Sequence, residues 1–541
     1  MSLKAKLEGT TIKCSSNTIK QFIPHGTLEK PDIFSEAIVK SELGRLLKRT
    51  SCHPTDEVSH LAAVICNGKS NHLNSSYRKV FAILVLVDLG DRVTQFVEAD
   101  VNDSCLPILT RSEMAALAGG LDKDAPFSVN NLVVSNWQDN QVSLGFLDRW
   151  SSRAREALLQ EQWTVLSPVF EVASPDIPHY VFTPHHILPI TESGPVFPGH
   201  AYGDPKAIQV LSTSTTVNRI RLHPSHDRLR HGSSKNECVD SFALKQIPAF
   251  DLTRFKQEAG ALRCIARIRD QHIIPLLTTF EVASIGRFLL FPCADGDLDF
   301  MWRMKSGLRQ RTETTTWMAR ELYNLTQALA NLHGMGQGTP DDTSLSIHGD
   351  LSSTNILWFS EGDTDCLSYS RLVIADFGYA HIGLPRKPGD KELQMGARTY
   401  RSPEADMPHS DITSAVDIWS LGCMFLEFAT WQLLGWDAVE EDFSQARLEA
   451  EPGGGIIVDA FFIRHRDGRI EVKPAVRRWV DDLMGRGSCS PFLEELLRLA
   501  MINMLCVEAA ERDSAEEIAV KLKVMSDRCQ IERNFCQPRP S

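Results

Sequence analysis

The sequence predicts an α+β chain in which a small strand-rich part is followed by a larger helical part. Strands are indicated between residues 217 and 298 by four short alternating or apolar runs, VNRIRLHP, SFALKQI, HIIPLLTTFEV and RFLLFPCADGDL. Helices are indicated from residue 301 onward by an apolar stripe at steps of three and four residues, formed by Met318, Leu322, Leu325, Leu329 and Leu332. No internal repeat is visible, which argues against a solenoid.

The first 183 residues form an N-terminal extension of mixed helices and strands. RAREALLQEQWTVLSPVF (Arg153–Phe170) predicts a helix that ends at the Ser-Pro step, because proline disfavours helix in the residue before it. VFAILVLV (Val80–Val87) is too short to span a bilayer and predicts a buried strand. We expect the helix that ends near Trp163 to join the extension to the strand-rich part, because its tryptophan and leucines need a buried partner.

The composition is that of a globular protein. The 541 residues include 57 Lys and Arg against 69 Asp and Glu, so the net charge of −12 argues against nucleic acid or anionic lipid as a partner. The 13 cysteines include no C-x-x-C pair, which argues against a disulfide framework or a zinc module. The start, MSLKAKLEGTTIKCSS, lacks the apolar core of a signal peptide. We expect an intracellular protein, cytoplasmic or nuclear, with no membrane insertion.

Short motifs follow one another in a distinctive order along the second half of the chain. They are FALK with Lys245, then Glu258, HGDLSSTN (His348–Asn355), ADFG (Ala375–Gly378), GARTYRSPE (Gly396–Glu404), DIWSLGCMFLEF from Asp417, and Arg512. Each motif alone is weak, since Asp and Gly favour ordinary turns. Together and in this order they resemble the eukaryotic protein kinase domain, over roughly Pro184–Cys529.

The resemblance implies a bilobal protein kinase-like fold. The N-lobe would occupy residues 184–295, the C-lobe residues 296–529, and a short tail residues 530–541. ATP and Mg²⁺ would be the cofactors and a protein the substrate. Two stretches of the extension, YRKVFAILVLVDLGDRVTQFVEADVNDSCLPI and LLQEQWTVLSPVF, are similar to the N-terminal part of kinase-like proteins from filamentous fungi.

The resemblance also assigns catalytic and phosphate-binding roles. Asp350 would accept the proton of the substrate hydroxyl and orient it. Lys245 would contact the α- and β-phosphates of ATP and would be held by Glu258. As isolated residues, these two would more often be a surface lysine and a surface glutamate.

Metal and adenine binding follow from the same resemblance. Asn355 and Asp376 would ligate magnesium, which prefers oxygen ligands. The backbone near Phe291 and Cys293 would bind the adenine. Structural anchors are also implied: an ion pair of Glu404 with Arg512 would fasten the activation segment, and Asp417 would hold the catalytic loop.

Three substitutions depart from the family pattern. Gly349 stands where an arginine is usual, Ser352 where serine/threonine kinases have a lysine, and Ala397 where a threonine hydroxyl is usual. Because the arginine forms the pocket for an activation-loop phosphate, we expect no activation by phosphorylation of Thr399 or Tyr400.

A fourth departure is the missing glycine-rich loop. No G-x-G-x-x-G precedes FALK: the tract QVLSTSTT contains no glycine, and GHAYGD has the wrong spacing. Glycine lets backbone N–H groups approach phosphates, and losing two such hydrogen bonds weakens nucleotide binding by about a hundredfold.

Three functions therefore stay open at this stage. The first is a divergent protein serine/threonine kinase, and the second is a pseudokinase that acts as a binding or scaffold module. The third is a small-molecule phosphotransferase of the aminoglycoside or choline type, because HGDL followed by Asn also occurs there, although the activation segment argues against it. Two further features carry no functional prediction. HRDG (His465–Gly468) is expected to be a surface turn, and His223, His226 and His231 are expected to form a solvated insert rather than a metal site.

Overall fold

The structure is a computed structural model, and it divides into two compact units that are described separately. The first unit comprises residues 1–251 and 277–291, and the second residues 252–276 and 292–541. The residues described are 1–15, 17–47, 55–69, 76–110, 132–134, 144–172, 176–196, 215–229, 241–335, 344–360, 367–385, 395–407, 410–450, 457–532 and 534–538. Within these ranges, no helix is long and apolar enough to cross a membrane.

The α-helices of the described residues lie in both units. They are α1 (Leu3–Glu8), α2 (Glu36–Leu47), α3 (Thr55–Asn67), α4 (Arg78–Leu86), α5 (Val93–Glu98), α6 (Ser152–Val165), α7 (Leu252–Ile265), α8 (Leu298–Met304), α9 (Thr312–His333), α10 (Ala415–Leu434), α11 (Ser444–Arg447), α12 (Pro474–Gly485), α13 (Pro491–Leu499) and α14 (Ala515–Ile531).

The strands are mostly short. They are β1 (Ile12–Cys14), β2 (Asn17–Phe22), β3 (Ile108–Thr110), β4 (Leu132–Val134), β5 (Phe170–Glu171), β6 (His179–Phe182), β7 (Ile190–Pro195), β8 (Thr216–Leu222), β9 (Asp227–Arg228), β10 (Phe242–Pro248), β11 (Thr278–Val282), β12 (Gly286–Pro292), β13 (Gly296–Asp297), β14 (Ser344–Ile347), β15 (Ile356–Phe359), β16 (Arg371–Ile374), β17 (His381–Pro385), β18 (Glu449–Ala450), β19 (Ile457–Val458), β20 (Phe462–Arg464) and β21 (Ile470–Val472).

A six-stranded sheet organises the first unit. Its strand order is β6-β11-β12-β10-β8-β7. β8 and β10 are antiparallel, and Lys245 lies opposite Val217 in their register. β6 precedes residue 183, yet it pairs in parallel with β11. The end of the N-terminal extension therefore supplies an edge strand to the sheet that carries Lys245.

The predicted strand over Val80–Val87 is wrong, because these residues lie in α4 and the turn that follows it. All side chains from Val80 to Val85 are buried in the core of the extension. A helix that is buried on every side has no polar face, so its sequence shows no period of 3.6 residues. Length and apolarity alone could not distinguish it from a buried strand.

The predicted link at Trp163 is confirmed within the first unit. Trp163 lies at the end of α6 and is buried in a small cluster with Phe22, Leu109 and Ile187. Its ring also lies 4.5 Å, centroid to centroid, from the ring of His186. Trp163 therefore packs part of the extension against the residues that precede β7.

The expectation of a solvated histidine insert is wrong at His226. This side chain is buried, and its Nε2 accepts a hydrogen bond from the His25 N–H at 2.8 Å while Nδ1 donates to the Pro168 carbonyl at 2.8 Å. Burial lowers the pKa of His226 to about 4, so the ring is neutral and ties two parts of the extension to the sheet. His231 lies outside the described residues.

The second unit is built around helices α9 and α10. The predicted stripe of α9 is confirmed, since Met318, Leu322, Leu325, Leu329 and Leu332 are all fully buried. Every residue of α10 from Val416 to Leu433 is buried as well. Cys529 and Cys536 form a disulfide, which the scattered cysteine pattern did not indicate.

Candidate functional site

The carboxylate of Asp417 holds the loop that begins at His348. It accepts hydrogen bonds from the main-chain N–H of His348 at 2.8 Å and of Gly349 at 2.9 Å, and from Nε2 of His333 at 2.9 Å. Burial alone raises the pKa of Asp417, but the contact with His333 and the N–H of Gly349 outweigh it and hold this pKa below its ordinary value. The predicted anchoring role of Asp417 is therefore confirmed.

The His348 ring connects this loop to the Asp-Phe-Gly turn. Its Nδ1 accepts from the N–H of Asp350 at 3.2 Å, so its Nε2 carries the proton that is donated to the Ala375 carbonyl at 3.0 Å. The ring also meets the edge of Phe377, with centroids 4.8 Å apart. The loop and the turn are thus fixed to each other by a buried side chain.

Both oxygens of the Asp350 carboxylate are held by donors of the second unit. Nδ2 of Asn355 donates to Oδ2 at 3.0 Å and to the Asp350 carbonyl at 2.7 Å, while the N–H of Ala397 donates to Oδ1 at 2.9 Å. Burial, and to a lesser degree the charge of Asp376, raises the pKa of Asp350 above its ordinary value against these hydrogen bonds. The side chain is an oriented acceptor whose proton affinity exceeds that of an exposed aspartate.

Asp376 lies at the end of a β-hairpin that begins directly after Asn355. Strands β15 and β16 are antiparallel, and the N–H of Ala375 donates to the Asn355 carbonyl at 2.9 Å, so Asp376 directly follows a residue that is hydrogen-bonded to Asn355. Asp376 adopts a left-handed conformation with φ of 59°, and its Oδ1 accepts from the N–H of Gly378 at 3.2 Å. The hairpin therefore brings the Asn355 amide and the Asp376 carboxylate to the same end of β15 and β16.

This oxygen pair fits magnesium. Nδ2 of Asn355 is committed to Asp350, which leaves its amide oxygen as the atom that can ligate a cation. Magnesium is typically held by one or two carboxylate or amide oxygens together with phosphate and water oxygens. Within the described ranges, no group of three His, Cys, Asp or Glu side chains forms a site that protein ligands alone could complete.

Glu258 lies beside the same turn. It is buried on α7, and a Cβ built on Gly378 would lie 3.7 Å from its Oε2. Lys245 belongs to the first unit, where it is buried on β10. Phe291 is buried near the end of β12, and Cys293 follows that strand in the second unit. The tract QVLSTSTT lies outside the described residues except for Thr215 and Thr216.

The predicted ion pair of Glu404 with Arg512 is confirmed. Nη1 of Arg512 donates to Oε1 at 2.6 Å and Nη2 to Oε2 at 2.8 Å, so the pair is bidentate and buried. Nη1 of Arg512 also donates to the Ala415 carbonyl at 2.8 Å, at the start of α10. The end of the segment 395–407 is therefore fixed to the same helix that holds the loop beginning at His348.

A second carboxylate on α10, that of Glu427, is not among the residues that the motifs predict. Glu427 accepts from the hydroxyl of Tyr400 at 2.7 Å and from Nη2 of Arg447 at 3.3 Å. Arg447 lies between the rings of Phe443 and Phe461, 4.1 and 4.2 Å from their centroids. The available signal was a glutamate inside the apolar run GCMFLEFATW, since a charge at such a position needs a buried partner.

HRDG is a turn, as expected. His465–Gly468 connects β20 to β21, with Gly468 at φ of 84° and Arg466 and Asp467 exposed. None of the hydrogen bonds described above for the His348 loop involves His465–Gly468. The position of HRDG relative to the other motifs therefore predicts its role better than the similarity of His-Arg-Asp to the catalytic triplet of the family.

A comparison with known protein families agrees with this arrangement. The model of the protein kinase domain matches residues 233–521, which is more than half of the chain. The chain belongs to the protein kinase domain family. The α+β kinase-like fold and the membership of the eukaryotic protein kinase superfamily that the sequence predicts are thereby confirmed.

Curated kinases are similar over part of this kinase chain. Cyclin-dependent kinase 8 of Drosophila melanogaster is 30% identical over 199 residues, which is 35% of this chain and 40% of that protein. Mitogen-activated protein kinase HOG1 of Wallemia muriae is 29% identical over 168 residues, 31% of this chain and 51% of that kinase. CTD kinase subunit alpha of Schizosaccharomyces pombe is 27% identical over 198 residues, 35% of this chain and 29% of that subunit. The chain thus spans about half or less of the length of the relatives it matches.

Proposed function

We propose that this chain transfers the γ-phosphate of ATP, with Mg²⁺, to a serine or threonine hydroxyl of a protein substrate. The observation that carries the proposal is the Asp350 carboxylate, which is held by Asn355 and Ala397 in a loop that Asp417 fixes. Phosphoryl transfer depends mainly on positioning and charge neutralisation, and this loop supplies a positioned acceptor.

Asp350 would act on the substrate hydroxyl. Each carboxylate oxygen has two acceptor sites, and the donors from Asn355 and Ala397 occupy one on each oxygen. The remaining sites can accept the hydroxyl proton and orient the nucleophile. The raised pKa of Asp350, caused first by burial, brings its proton affinity closer to that of a useful general base.

Asn355 and Asp376 would hold magnesium, and Lys245 would hold the phosphates. Bound Mg-ATP would supply the phosphoryl group, with the metal neutralising its charge. Glu258 lies buried beside the Asp-Phe-Gly turn, and the backbone at Phe291 and Cys293 would bind the adenine.

Ser352 limits the expected rate. Its hydroxyl lies 3.0 Å from Oγ1 of Thr354, and it brings no positive charge to the loop. The family lysine at this position would contact the transferred phosphate, so we expect measurable transfer that is slower than in kinases with that lysine.

The test is phosphate transfer from radiolabelled ATP to a basic protein substrate and to the chain itself. Wild type is compared with Asp350→Asn and Asp376→Asn, with and without Mg²⁺, and thermal unfolding checks that each variant is folded. We expect Mg²⁺-dependent transfer that both variants reduce by about a hundredfold or more. Transfer by folded wild type equal to that of Asp350→Asn would overturn the proposal and favour a pseudokinase that binds partners without catalysis.

A further inference from the structure

The guanidinium of Arg401 is bonded to the main chain next to the catalytic loop. Its Nη2 donates to the Gly396 carbonyl at 2.6 Å and to the Met395 carbonyl at 3.1 Å. Its Nη1 forms an ion pair with Oδ1 of Asp406 at 3.0 Å, and the side chain is only 20% exposed. Arg401 is thus fixed on one side by a carboxylate and bonds two consecutive carbonyls on the other.

The peptide whose carbonyl accepts a hydrogen bond from Arg401 also donates one to Asp350. The Gly396 carbonyl and the Ala397 N–H belong to one peptide unit, and the N–H donates to Oδ1 of Asp350 at 2.9 Å. A trans peptide is planar, with its C=O and N–H pointing in opposite directions, so fixing one end sets the direction of the other. A cation on the carbonyl also polarises the unit and strengthens the N–H as a donor.

The close approach of this peptide depends on glycine. A Cβ added at Gly396 would overlap the Asp350 carboxylate. The preceding N–H, that of Gly396, donates to the Gly349 carbonyl at 3.0 Å, so two consecutive amides meet the catalytic loop. Backbone therefore contacts the carboxylate at a place where any side chain would push the segment away.

We infer that Arg401 is a positioning residue for phosphoryl transfer, acting on Asp350 through the Gly396–Ala397 peptide. A main-chain N–H thereby does here what the threonine hydroxyl at residue 397 would do in the family pattern. The inference rests on the proposed function for its effect on rate, but the contact itself can be measured without activity.

The effect of Arg401 should fall on the chemical step. The described hydrogen bonds of the guanidinium go to the Met395 and Gly396 carbonyls and to Asp406, none of which is assigned to nucleotide binding, so nucleotide affinity should not depend on it. Loss of one hydrogen bond to a charged group lowers kcat by about tenfold. We expect kcat to fall about tenfold in Arg401→Met, with KM for ATP changed less than twofold.

Matched variants separate this role from general stability. Arg401→Met keeps the apolar stem and removes all donors, whereas Arg401→Lys can still reach one carbonyl and should restore part of kcat. Asp406→Asn breaks the ion pair of Arg401 but leaves the carbonyl contacts, so its kcat should stay within twofold of wild type. Gly396→Ala should reproduce the loss of Arg401→Met by displacing the peptide.

The experiment measures kcat and KM for ATP in these variants, and hydrogen exchange of the amides in residues 395–402 in the full chain. We expect faster exchange at Ala397 in Arg401→Met and Gly396→Ala, together with the fall in kcat, and wild-type exchange in Asp406→Asn. Unchanged exchange and kcat in Arg401→Met, or a higher kcat, would overturn the inference.

The experiment distinguishes failure of the proposed kinase activity from failure of the inference about Arg401. Wild-type transfer no greater than that of Asp350→Asn would end the kinase assignment, whereas faster Ala397 exchange in Arg401→Met would still support the positioning contact. Wild-type transfer well above Asp350→Asn, with Arg401→Met also at wild-type kcat, would overturn the inference alone.

Discussion

Two buried carboxylates on the same helix behave in opposite ways. Asp417, near the start of α10, accepts three N–H groups, two of them from the main chain of the catalytic loop. Glu427, farther along α10, accepts from Tyr400 and, at 3.3 Å, from Arg447. The pKa of Asp417 is held below its ordinary value despite burial, whereas burial raises the pKa of Glu427 to about 7.

The difference between Asp417 and Glu427 shows which contacts keep a buried carboxylate ionised. Main-chain donors cannot be released without breaking the loop, so the two main-chain N–H groups, together with His333, hold Asp417 ionised in spite of desolvation. Glu427 has a long contact to its cation, which only partly compensates for burial. The catalytic loop is therefore anchored independently of pH near neutrality, while the contact beneath the activation segment titrates there.

The largest effect is expected from Asp417→Ala. This change leaves His333 and the two loop N–H groups without their acceptor, at about 1 kcal/mol for each bond. We expect phosphate transfer to fall by about a hundredfold or more, because the position of Asp350 is lost, and the free energy of unfolding to fall by ~3 kcal/mol. The measurements are transfer rate and urea unfolding, with Asp417→Asn expected to lie between wild type and alanine. An alanine variant with a third of wild-type activity would contradict this.

Glu427 should give the protein a pH-dependent stability that Asp417 does not. The pKa of Glu427 in the folded protein is about 7, raised from 4.5, so the folded state binds this proton more tightly than the unfolded state. The resulting stabilisation of the fold is fully present below about pH 4.5 and is lost as pH rises through 7. The free energy of unfolding should fall by roughly 2 kcal/mol between pH 5 and 8. Urea unfolding measured across this range tests the slope.

Glu427→Gln is the matched control for this slope. It keeps the size of the side chain and removes the titration, so its stability should be flatter than that of wild type over the same range. The pKa of Asp417 is lowered, and its contribution is lost only as pH falls below about 4, outside the window. Equal slopes in wild type and Glu427→Gln would contradict the assignment to Glu427.

Gly349→Ala should cost about 1 kcal/mol through backbone strain alone. Gly349 has φ of 79°, where residues with a Cβ are disfavoured. A Cβ there would also lie 3.0 Å from the Tyr379 carbonyl oxygen. Gly468→Ala is the control, since Gly468 has φ of 84° with nothing within 4 Å of its Cβ position. We expect Gly349→Ala to lower the melting temperature more than Gly468→Ala, and equal shifts would show that the Tyr379 contact is unimportant.

The smallest effect is expected from a negative charge at Thr399. Its hydroxyl donates to Oδ1 of Asp459 at 2.8 Å, so Thr399→Glu places two carboxylates against each other. Transfer should fall by about twofold to fivefold, and Thr399→Val should show how much comes from losing the hydroxyl. An increase in transfer by Thr399→Glu would mean that the segment is activated by phosphorylation after all.

Parts of both units follow from the sequence. Apolar spacing predicts the α9 stripe and the strands that carry Lys245 and Val217, and the resemblance to the kinase family implies the Glu404–Arg512 pair. Two features could not be predicted, because no residue pattern in the sequence marks them. α4 is buried on all sides and loses its helical period, and Arg401 acts through backbone groups that carry no residue signature.

Asp417, Asn355 and the Gly396–Ala397 peptide are proposed to assemble the site without a phosphate on the activation segment. The most direct measurement is phosphate transfer by protein that mass spectrometry shows to be unphosphorylated. Such protein should transfer phosphate well above Asp350→Asn from the first turnover, without a lag. Transfer that begins only after Thr399 or Tyr400 is phosphorylated, or that never exceeds the Asp350→Asn control, would contradict it.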